Sequence, residues 1–357
     1  MLIKLNIIIL YLLVAFFLSL IIYPFFIKFL QMLKLGKEIR EDSATGDKAA
    51  LFAKMHAHKK GTPTMGGGVF LIVMLLLIIV SFFLQKFGFI NNTLITRQET
   101  YIVLFAFFSM GLVGLVDDWF NIKGKGKIKG MSAKVKLLWM FLFSAFISYW
   151  FFYKLGIDYI NFWPFAGEIS IGLFYLPITF IFTVAIVNAI NITDGLDGLA
   201  GGILLISLLV MGIITFSYKW YITTTVIGIV IGILLAFLWF NINPAKVFMG
   251  DSGALALGGL ISTIIYLLNI KMGILVPFII LFAIVWLELL SSFLQIFWKK
   301  VFKRKLFPIA PFHHYLEHIG RQEHSIVMKL WLIEGVLAAV SLTMVLYQLA
   351  PYFDSIN

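Results

Sequence analysis

Long apolar segments alternate along this chain with shorter polar segments. The apolar segments have about the length, roughly 20 residues, that an α-helix needs to cross a bilayer. They lie near residues 5–32, 64–84, 101–118, 135–153, 172–190, 198–216, 222–240, 253–268, 274–298 and 326–348. The first is too long for a cleaved signal peptide and lacks a small-x-small cleavage site behind it. We therefore predict an all-α, polytopic membrane protein with about ten transmembrane helices in a single bundle, forming one integral-membrane domain over residues 1–357.

Composition agrees with a chain that lies mainly in lipid. Hydrophobic residues make up 61% of the sequence and charged residues only 13%, which is about half the charged share of a soluble domain. Cysteine is absent, which excludes a disulfide framework, a thiolate metal site and a cysteine nucleophile. The net charge is +11, but the charges lie in a few loops, so we expect no nucleic acid partner.

Lysine and arginine are unevenly divided between alternate loops. Twenty of the 28 lie in one set of loops and five in the other, while three lie near helix ends. Positive residues favour the cytoplasmic side of a membrane, so we expect the richer loops in the cytoplasm and both termini on the periplasmic side. The richer set consists of Lys34, Lys37, Arg40, Lys48, Lys54, Lys59, Lys60, Lys123, Lys125, Lys127, Lys129, Lys134, Lys136, Lys246, Lys299, Lys300, Lys303, Arg304, Lys305 and Arg321, and the poorer set of Lys86, Arg97, Lys154, Lys219 and Lys271.

Five aspartates lie at the predicted cytoplasmic ends of the apolar segments: Asp117, Asp118, Asp194, Asp197 and Asp251. Carboxylates at membrane depth are costly and usually functional. The adjacent Asp117 and Asp118 repel each other, and they ionise together most easily when a cation lies nearby. Oxygen ligands favour a hard ion such as Mg²⁺, and the scarcity of nearby histidines argues against zinc. The plainer alternative, solvated loop acids that balance lysines, stays open for each single aspartate.

Two segments have the composition of phosphate-binding helix starts on the same face. Met249–Gly253 places glycines and a capping residue at the start of an apolar segment, where free backbone N–H groups can bind anions. Thr62–Thr64 predicts a second helix start, with Thr62 as N-cap and Pro63 at the first helical position. The three glycines 66–68 would then lie just inside this helix. Ordinary helix capping explains either segment alone.

The remaining polar candidates are two histidines and two glutamates. His313 and His314 lie in the last predicted cytoplasmic loop, where a histidine can donate to phosphate or act as a general acid or base. Glu288 and Glu334 lie inside apolar segments. We interpret both as buried polar contacts without a chemical role.

Five motifs occur in one order along the chain: His56–Gly67, Asp117–Asp118, Asn188–Gly198, Asn243–Asp251 and Pro311–His314. Together they resemble the phospho-N-acetylmuramoyl-pentapeptide transferase family, which belongs to the polyprenyl-phosphate sugar-1-phosphate transferase superfamily. The resemblance extends from the first predicted cytoplasmic loop to the last apolar segment. The Asp-Asp pair alone would be a weak signal, whereas five motifs in the family's order are specific.

The resemblance implies a ten-helix membrane enzyme with periplasmic termini, located in the bacterial inner membrane with its active site on the cytoplasmic face. Its reaction would transfer phospho-N-acetylmuramoyl-pentapeptide from UDP-N-acetylmuramoyl-pentapeptide to undecaprenyl phosphate. The products would be lipid I and UMP, in peptidoglycan synthesis, with Mg²⁺ as cofactor. Membrane lipid is then an expected partner, and a homodimer is an allowed assembly.

The resemblance also assigns roles by motif position. Asp251 would hold Mg²⁺, and Asp117 would act on the lipid phosphate by removing a residual proton from it, or would instead attack directly to form a phosphoryl-enzyme. The expected catalytic residues are Asp117, Asp118, Asp251 and His313. The expected substrate-binding residues are Asn188, Asn191, Asp194, Asp197, Asn241 and Phe248 around the nucleotide, and Lys59, Thr64, Lys125 and His314 around the pyrophosphate and sugar.

Two positions depart from the family's pattern. Tyr315 occupies the place of a usual third histidine, and Asn121 that of a common lysine, so no role is assigned to either. The nearest rival is a sister enzyme that moves N-acetylglucosamine-1-phosphate onto the same lipid, but the Lys59–Gly67 stretch and the histidine pair favour the muramoyl enzyme. A cation transporter is the rival of another class. Transporter sites lie near the bilayer midplane, whereas these acids lie at one surface.

Overall fold

The computed structural model describes residues 2–33, 59, 61–123, 131–271 and 273–354. The predicted all-α architecture is confirmed over these ranges. The helices are, in chain order, α1 (Leu2–Met32), α2 (Gly68–Lys86), α3 (Gln98–Lys123), α4 (Ala133–Tyr149), α5 (Tyr175–Thr193), α6 (Leu199–Ser217), α7 (Tyr221–Asn241), α8 (Gly250–Lys271), α9 (Leu275–Leu281), α10 (Ala283–Phe302), α11 (Phe312–His318) and α12 (Glu323–Asp354). A π-helical turn at Trp150–Lys154 continues α4, and a 3-10 turn at Gly172–Phe174 precedes α5.

Most of these helices have the length and composition of membrane spans. Within the described ranges, nine helices are long and apolar enough to cross a bilayer, and the bent pair of α9 and α10 makes up a tenth. Backbone polar groups in lipid must be paired within the spanning segment, which is why each apolar stretch forms a helix. The predicted span 274–298 is not one continuous helix, because α9 and α10 meet at Phe282 with a bend of 74°.

The second membrane helix begins later than the local sequence predicts. Thr62 is not its N-cap and Pro63 is not in its first turn, because α2 starts at Gly68. Residues 62–67 instead pair with residues 248–249 through three backbone hydrogen bonds of 2.8 Å: Phe248 N to Pro63 O, Gly66 N to Phe248 O and Gly67 N to Met249 O. This pairing satisfies backbone groups that a helical turn would otherwise have satisfied, so a tertiary contact replaces the predicted capping.

One short hairpin interrupts the helical chain in the part that the structure describes. Strands β1 (Tyr159–Asn161) and β2 (Glu168–Ser170) pair antiparallel, with Tyr159 opposite Ser170. The Tyr159 hydroxyl donates to Ile270 O near the end of α8 (3.1 Å). The hairpin is therefore held at the end of the bundle opposite to the start of α8.

Helix α8 lies at the centre of the bundle. It packs against α3 and α5, while α7 packs against α1 and α6. The contact between α3 and α8 is tight at Gly114 of α3, where a Cβ atom would lie 2.1 Å from Asp251 O, so the helices could not pack this closely with any larger residue there. Because α3 ends and α8 begins at the same end of the bundle, this contact places two acidic segments side by side.

Candidate active site

Asp118 joins the end of α3 to the start of α8. Its Oδ1 accepts a hydrogen bond from Asp251 N (3.1 Å), and its Oδ2 accepts one from Ser252 N (3.0 Å). The first backbone N–H groups of a helix have no intrahelical partner and carry a positive partial charge, so a carboxylate from another helix caps them well. Both oxygens of Asp118 are thereby engaged in fixing the position of Asp251.

Asp117 and Asp251 meet at one ammonium group, that of Lys136 in the first turn of α4. Lys136 Nζ contacts Asp251 Oδ2 and lies 3.5 Å from Asp117 Oδ2. Asn191 Nδ2, near the end of α5, donates to Asp251 Oδ1 (2.7 Å). Carboxylates held this close repel each other, and a cation that touches both offsets the repulsion. Three predicted site residues and one additional lysine thus form a single polar cluster.

Asp117 accepts two further hydrogen bonds. Asn121 Nδ2, one turn later in α3, donates to Oδ2 (3.0 Å), and Met131 N donates to Oδ1 (3.1 Å). Asn121 is one of the two positions at which the chain departs from the family's pattern. The structure places it in direct contact with the candidate catalytic carboxylate.

Lys136 is a site residue that the sequence reasoning does not single out. It is one of six lysines between residues 123 and 136, and no spacing distinguishes it from the others. Lys134, only two residues before it, is exposed. The signal that could have identified Lys136 is its place inside a predicted apolar span, where a charged side chain usually faces a polar partner.

The donor set at Asp117 and Asp251 fits Mg²⁺. One oxygen of each carboxylate lies next to the ammonium group of Lys136. Mg²⁺ is commonly bound through one or two carboxylates, while waters and substrate phosphates fill the other positions. Across the described residues, no cluster of three or more His, Asp or Glu side chains surrounds a metal position. These residues therefore do not form the closed, all-protein site that is typical of structural zinc.

A second polar cluster is centred on Lys59. Its Nζ lies 2.7 Å from Asp197 Oδ1 and 2.5 Å from Glu323 Oε1. Glu323 Oε1 also accepts from Asp197 N (2.7 Å), so one glutamate holds both the lysine and the loop between α5 and α6. Lys59 is only 7% exposed, and burial of an ammonium group requires such pairing. Glu323 is a second residue that sequence reasoning missed, since an acid in the first turn of a helix is common.

The loop between α7 and α8 is fixed by the same cluster. Asp197 Oδ2 accepts from Asn243 Nδ2 (3.1 Å) and from Ala245 N (3.0 Å). Lys59 Nζ lies 6.0 Å from the centre of the Phe248 ring, within range of a cation–π contact. Phe248, which is expected near the nucleotide, is therefore adjacent to Lys59, which is expected near the pyrophosphate.

Asn241 is buried and forms hydrogen bonds to two loops. Its Oδ1 accepts from Gly198 N (2.9 Å), and its Nδ2 donates to Val247 O (2.8 Å). Both ends of the amide are thus used to position backbone. Asn241 ties the loop of Asp197 to the loop of Phe248, which suits a supporting role better than direct contact with a nucleotide.

His313 is held by a buried carboxylate. Glu288, in α10, accepts from His313 N (3.2 Å), and its Oε2 lies 2.9 Å from His313 Nδ1. No described residue makes a hydrogen bond to His313 Nε2, which lies against Gly195: a Cβ atom at Gly195 would be 2.2 Å from it. The predicted buried contact of Glu288 is confirmed, and its partner is a candidate catalytic histidine.

Glu334 also has the predicted buried contact. It is fully buried in α12, and its Oε1 accepts from Ser207 Oγ (2.7 Å) in α6. This pair joins two helices away from the carboxylate clusters.

The remaining predicted substrate-binding residues differ in whether they lie near the clusters of Asp251 and Lys59. Thr64 is close, since a Cβ atom at Gly250 would lie 2.8 Å from Thr64 Oγ1, at the start of α8. Asn188 Nδ2 donates to Val184 O within its own helix (2.7 Å). His314 Nδ1 lies 2.7 Å from Glu317 Oε2. Asp194 directly follows α5, in the loop that contacts His313 and Lys59, and Lys125 lies outside the described residues.

Comparison with known proteins gives a consistent set of relatives. Residues 100–269 match the sequence model of a family described as Glycosyl transferase family 4. A phospho-N-acetylmuramoyl-pentapeptide-transferase of Clostridium acetobutylicum is 33% identical over 92% of this chain and 96% of its own length. One from Clostridium botulinum is also 33% identical, over 92% and 94%. One from a Thermoanaerobacter species is 35% identical, over 90% and 93%.

Proposed function

The chain belongs to the phospho-N-acetylmuramoyl-pentapeptide transferase family, and from this premise we propose the reaction that it carries out. It transfers phospho-N-acetylmuramoyl-pentapeptide from UDP-N-acetylmuramoyl-pentapeptide to undecaprenyl phosphate, forming lipid I and releasing UMP in peptidoglycan synthesis. The observation that carries this proposal is the convergence of Asp117, Asp251 and Lys136 at one end of a membrane-spanning bundle. Such a site can take one substrate from water and the other from lipid.

The reaction exchanges one phosphoanhydride bond for another. An oxygen of the acceptor phosphate bonds to the phosphorus that carries the sugar, and the bridging P–O bond to UMP breaks. The acceptor phosphate is already a nucleophile, so the protein mainly has to position both groups and absorb charge on the departing UMP. Asp117 would either take a residual proton from the acceptor, or attack the donor phosphorus that carries the sugar, releasing UMP and forming a phosphoryl-enzyme that the acceptor then attacks.

We propose that Asp117 and Asp251 hold Mg²⁺ when the substrates are bound. The ion would neutralise charge on the pyrophosphate and on leaving UMP. Lys136 supports the same task, because its ammonium group already touches both carboxylates. Lys59 lies next to Phe248 and would bind donor phosphate while the aromatic ring stacks on uracil. His313 would present Nε2 to the donor beside Gly195.

The proposed membrane placement is the bacterial inner membrane, with the site facing the cytoplasm and both termini periplasmic. The division of Lys and Arg between alternate loops supports this orientation, and ten crossings would return the chain to the side where it begins. A homodimer stays a prediction. An impermeant maleimide applied to intact cells should label a cysteine introduced at Lys219 and spare one introduced at Lys246, and the reverse pattern would overturn the orientation.

The proposed reaction can be tested with purified protein in detergent. UDP-N-acetylmuramoyl-pentapeptide and UDP-N-acetylglucosamine would be compared as donors to undecaprenyl phosphate, with MgCl₂ or with EDTA. We expect a lipid-linked product and UMP from the first donor only, and loss of activity in EDTA. Product from UDP-N-acetylglucosamine alone would support the sister enzyme, which the named relatives do not favour.

A further inference from the structure

Tyr23 in α1 forms a hydrogen bond to the loop that precedes α2. Its side chain is fully buried, and its hydroxyl donates to Gly66 O (3.1 Å). A buried tyrosine hydroxyl needs such a partner, because it would otherwise be left without a hydrogen bond in an apolar environment. The first helix is therefore tied to this loop by a polar bond in addition to apolar packing.

Aromatic packing fixes the direction in which the Tyr23 hydroxyl points. The Tyr23 ring centre lies 5.4 Å from that of Phe240 and 6.1 Å from that of Phe237, both in α7. The Phe237 ring lies in turn 5.5 Å from Phe70 of α2, edge to face. Such pairs stabilise the ring positions, so the hydroxyl is held at Gly66 by three helices.

The loop that Tyr23 contacts has an unfavourable backbone conformation. Met65 has a φ of 76°, which is disfavoured for a residue with a side chain and persists only where surrounding contacts impose it. Gly66 O also accepts from Val69 N (3.2 Å) in the first turn of α2. Tyr23 thus adds a second donor at this carbonyl, from a different helix, and restrains the loop from outside.

The same loop determines where two donor-side residues lie. Gly66 N donates to Phe248 O, and Phe248 N donates to Pro63 O, both at 2.8 Å. Thr64 lies between these paired residues, with its Oγ1 next to Gly250 at the start of α8. A shift of Gly66 would therefore move Phe248 and Thr64 together.

We propose that Tyr23 is a positioning residue for the donor site, an inference that rests on the proposed function. Its hydroxyl holds Gly66 O, and the paired backbone then fixes Phe248 for the nucleotide and Thr64 for the pyrophosphate. Because Tyr23 is fully buried, it acts through the loop and does not touch a substrate. Loss of the hydroxyl should weaken use of the donor and leave use of the lipid acceptor unchanged.

Tyr23→Phe tests this expectation, because it keeps the ring and its packing and removes only the hydroxyl. We expect the KM for the UDP donor to rise about fivefold, the scale of one lost hydrogen bond. The kcat and the KM for undecaprenyl phosphate should change less than about twofold, since lost binding that is equal in the ground and transition states raises KM alone.

Tyr266→Phe in α8 is the matched control. Tyr266 is also buried, and its hydroxyl also donates to a backbone carbonyl, Thr179 O (2.7 Å). It lies about 24 Å along α8 from Gly250, at 1.5 Å per residue. Both variants lose one buried hydrogen bond, so a general loss of stability would affect them alike. Equal donor KM values in the two variants would overturn the proposal.

Hydrogen–deuterium exchange measures the loop directly and does not depend on turnover. In the unaltered protein the amides of Gly66, Gly67 and Phe248 should exchange slowly, because each donates to a backbone carbonyl. Tyr23→Phe should speed their exchange about fivefold, since local opening becomes easier by one hydrogen bond, and Tyr266→Phe should not. Fast exchange in the unaltered protein, or unchanged exchange in Tyr23→Phe, would refute the proposal without reference to activity.

The two proposals can fail separately. If the unaltered protein forms no lipid-linked product from the muramoyl donor, the proposed function is wrong. If it is active but Tyr23→Phe leaves the donor KM unchanged, only the positioning role of Tyr23 is wrong.

Discussion

His313 Nδ1 lies 2.9 Å from Glu288 Oε2, and both side chains are buried. A carboxylate that accepts from Nδ1–H selects one tautomer of the neutral ring and leaves Nε2 as its acceptor atom. That atom lies against Gly195, in the loop that also carries Asp194 and Asp197. Glu288 therefore orients His313 toward the loop at which we place the donor.

Glu288→Gln should slow transfer by a factor on the order of 10², because an amide can present its N–H to the ring and no longer fixes the tautomer. We expect kcat to fall while KM for both substrates stays within twofold. Glu334→Gln is the control, since Glu334 is equally buried but bonded to Ser207, and it should stay within threefold. The double variant Glu288→Gln/His313→Ala should be no slower than His313→Ala, and additive losses would contradict the positioning role.

Lys136→Met should lower transfer by a factor of about 10² or more, because it removes the cation that touches Asp117 and Asp251. It should also lower the thermal unfolding midpoint without Mg²⁺ by about 5 °C or more, since two carboxylates would be left without their counter-charge. Mg²⁺ should then raise the midpoint more in this variant than in the parent protein.

Lys134→Met is the matched control for Lys136→Met. Lys134 lies in the same turn of α4 but is exposed, so its loss should change transfer less than twofold. The test would count against the metal position if Mg²⁺ stabilised both variants to the same extent.

The sequence predicts the membrane helices well because each apolar stretch must pair its own backbone in lipid. It fails at the start of α2 for a physical reason. Thr62 and Pro63 form a sound local capping signal, but the backbone there pairs with Phe248 and Met249. A contact between Pro63 and Phe248, which lie far apart in the sequence, cannot be inferred from either segment alone.

The candidate site, like the fold, is predictable from the sequence only in part. Acidic residues at span ends can be predicted, because a carboxylate at membrane depth is costly without a role. Their partners cannot be predicted, because the interaction depends on distances across the fold. From the sequence, Lys136 is one loop lysine among several, but the structure places it beside Asp251. Glu323 has the pattern of an acid at a helix start, and it lies beside Lys59. Glu288 has the pattern of a structural acid, and it lies beside His313.

Glu323→Gln should raise the KM for the UDP donor about tenfold and leave the acceptor KM within twofold. The change removes the charge that holds Lys59 2.5 Å away and weakens the bond to Asp197 N, so both donor-side groups lose their positions. Initial rates over a range of donor concentrations would measure the effect. Glu99→Gln is the control, because Glu99 is also an acid in the first turn of a spanning helix, α3, and an equal effect there would refute the assignment.

The loop before α2 packs against the start of α8 at Gly67. A Cβ atom at Gly67 would lie 2.0 Å from Gly253 N and 2.7 Å from Ser252 C, and these are backbone atoms that cannot move away as a side chain can. Gly67→Ala must therefore push the start of α8 away from the loop. Overpacking of this kind typically costs about 1–3 kcal/mol.

The displacement should affect activity as well as stability, because Asp118 holds Asp251 through the backbone N–H groups of residues 251 and 252. We expect Gly67→Ala to lower the thermal midpoint by several degrees and to reduce transfer at least tenfold, a loss of the size caused by small misplacements of catalytic groups. Gly335→Ala in α12 is the control: a Cβ atom there meets nothing within 4 Å, and alanine favours a helix over glycine, so stability should hold or rise. Unchanged stability and activity in Gly67→Ala would show that the start of α8 can shift without cost, and the proposed role of Asp118 in fixing Asp251 would then be wrong.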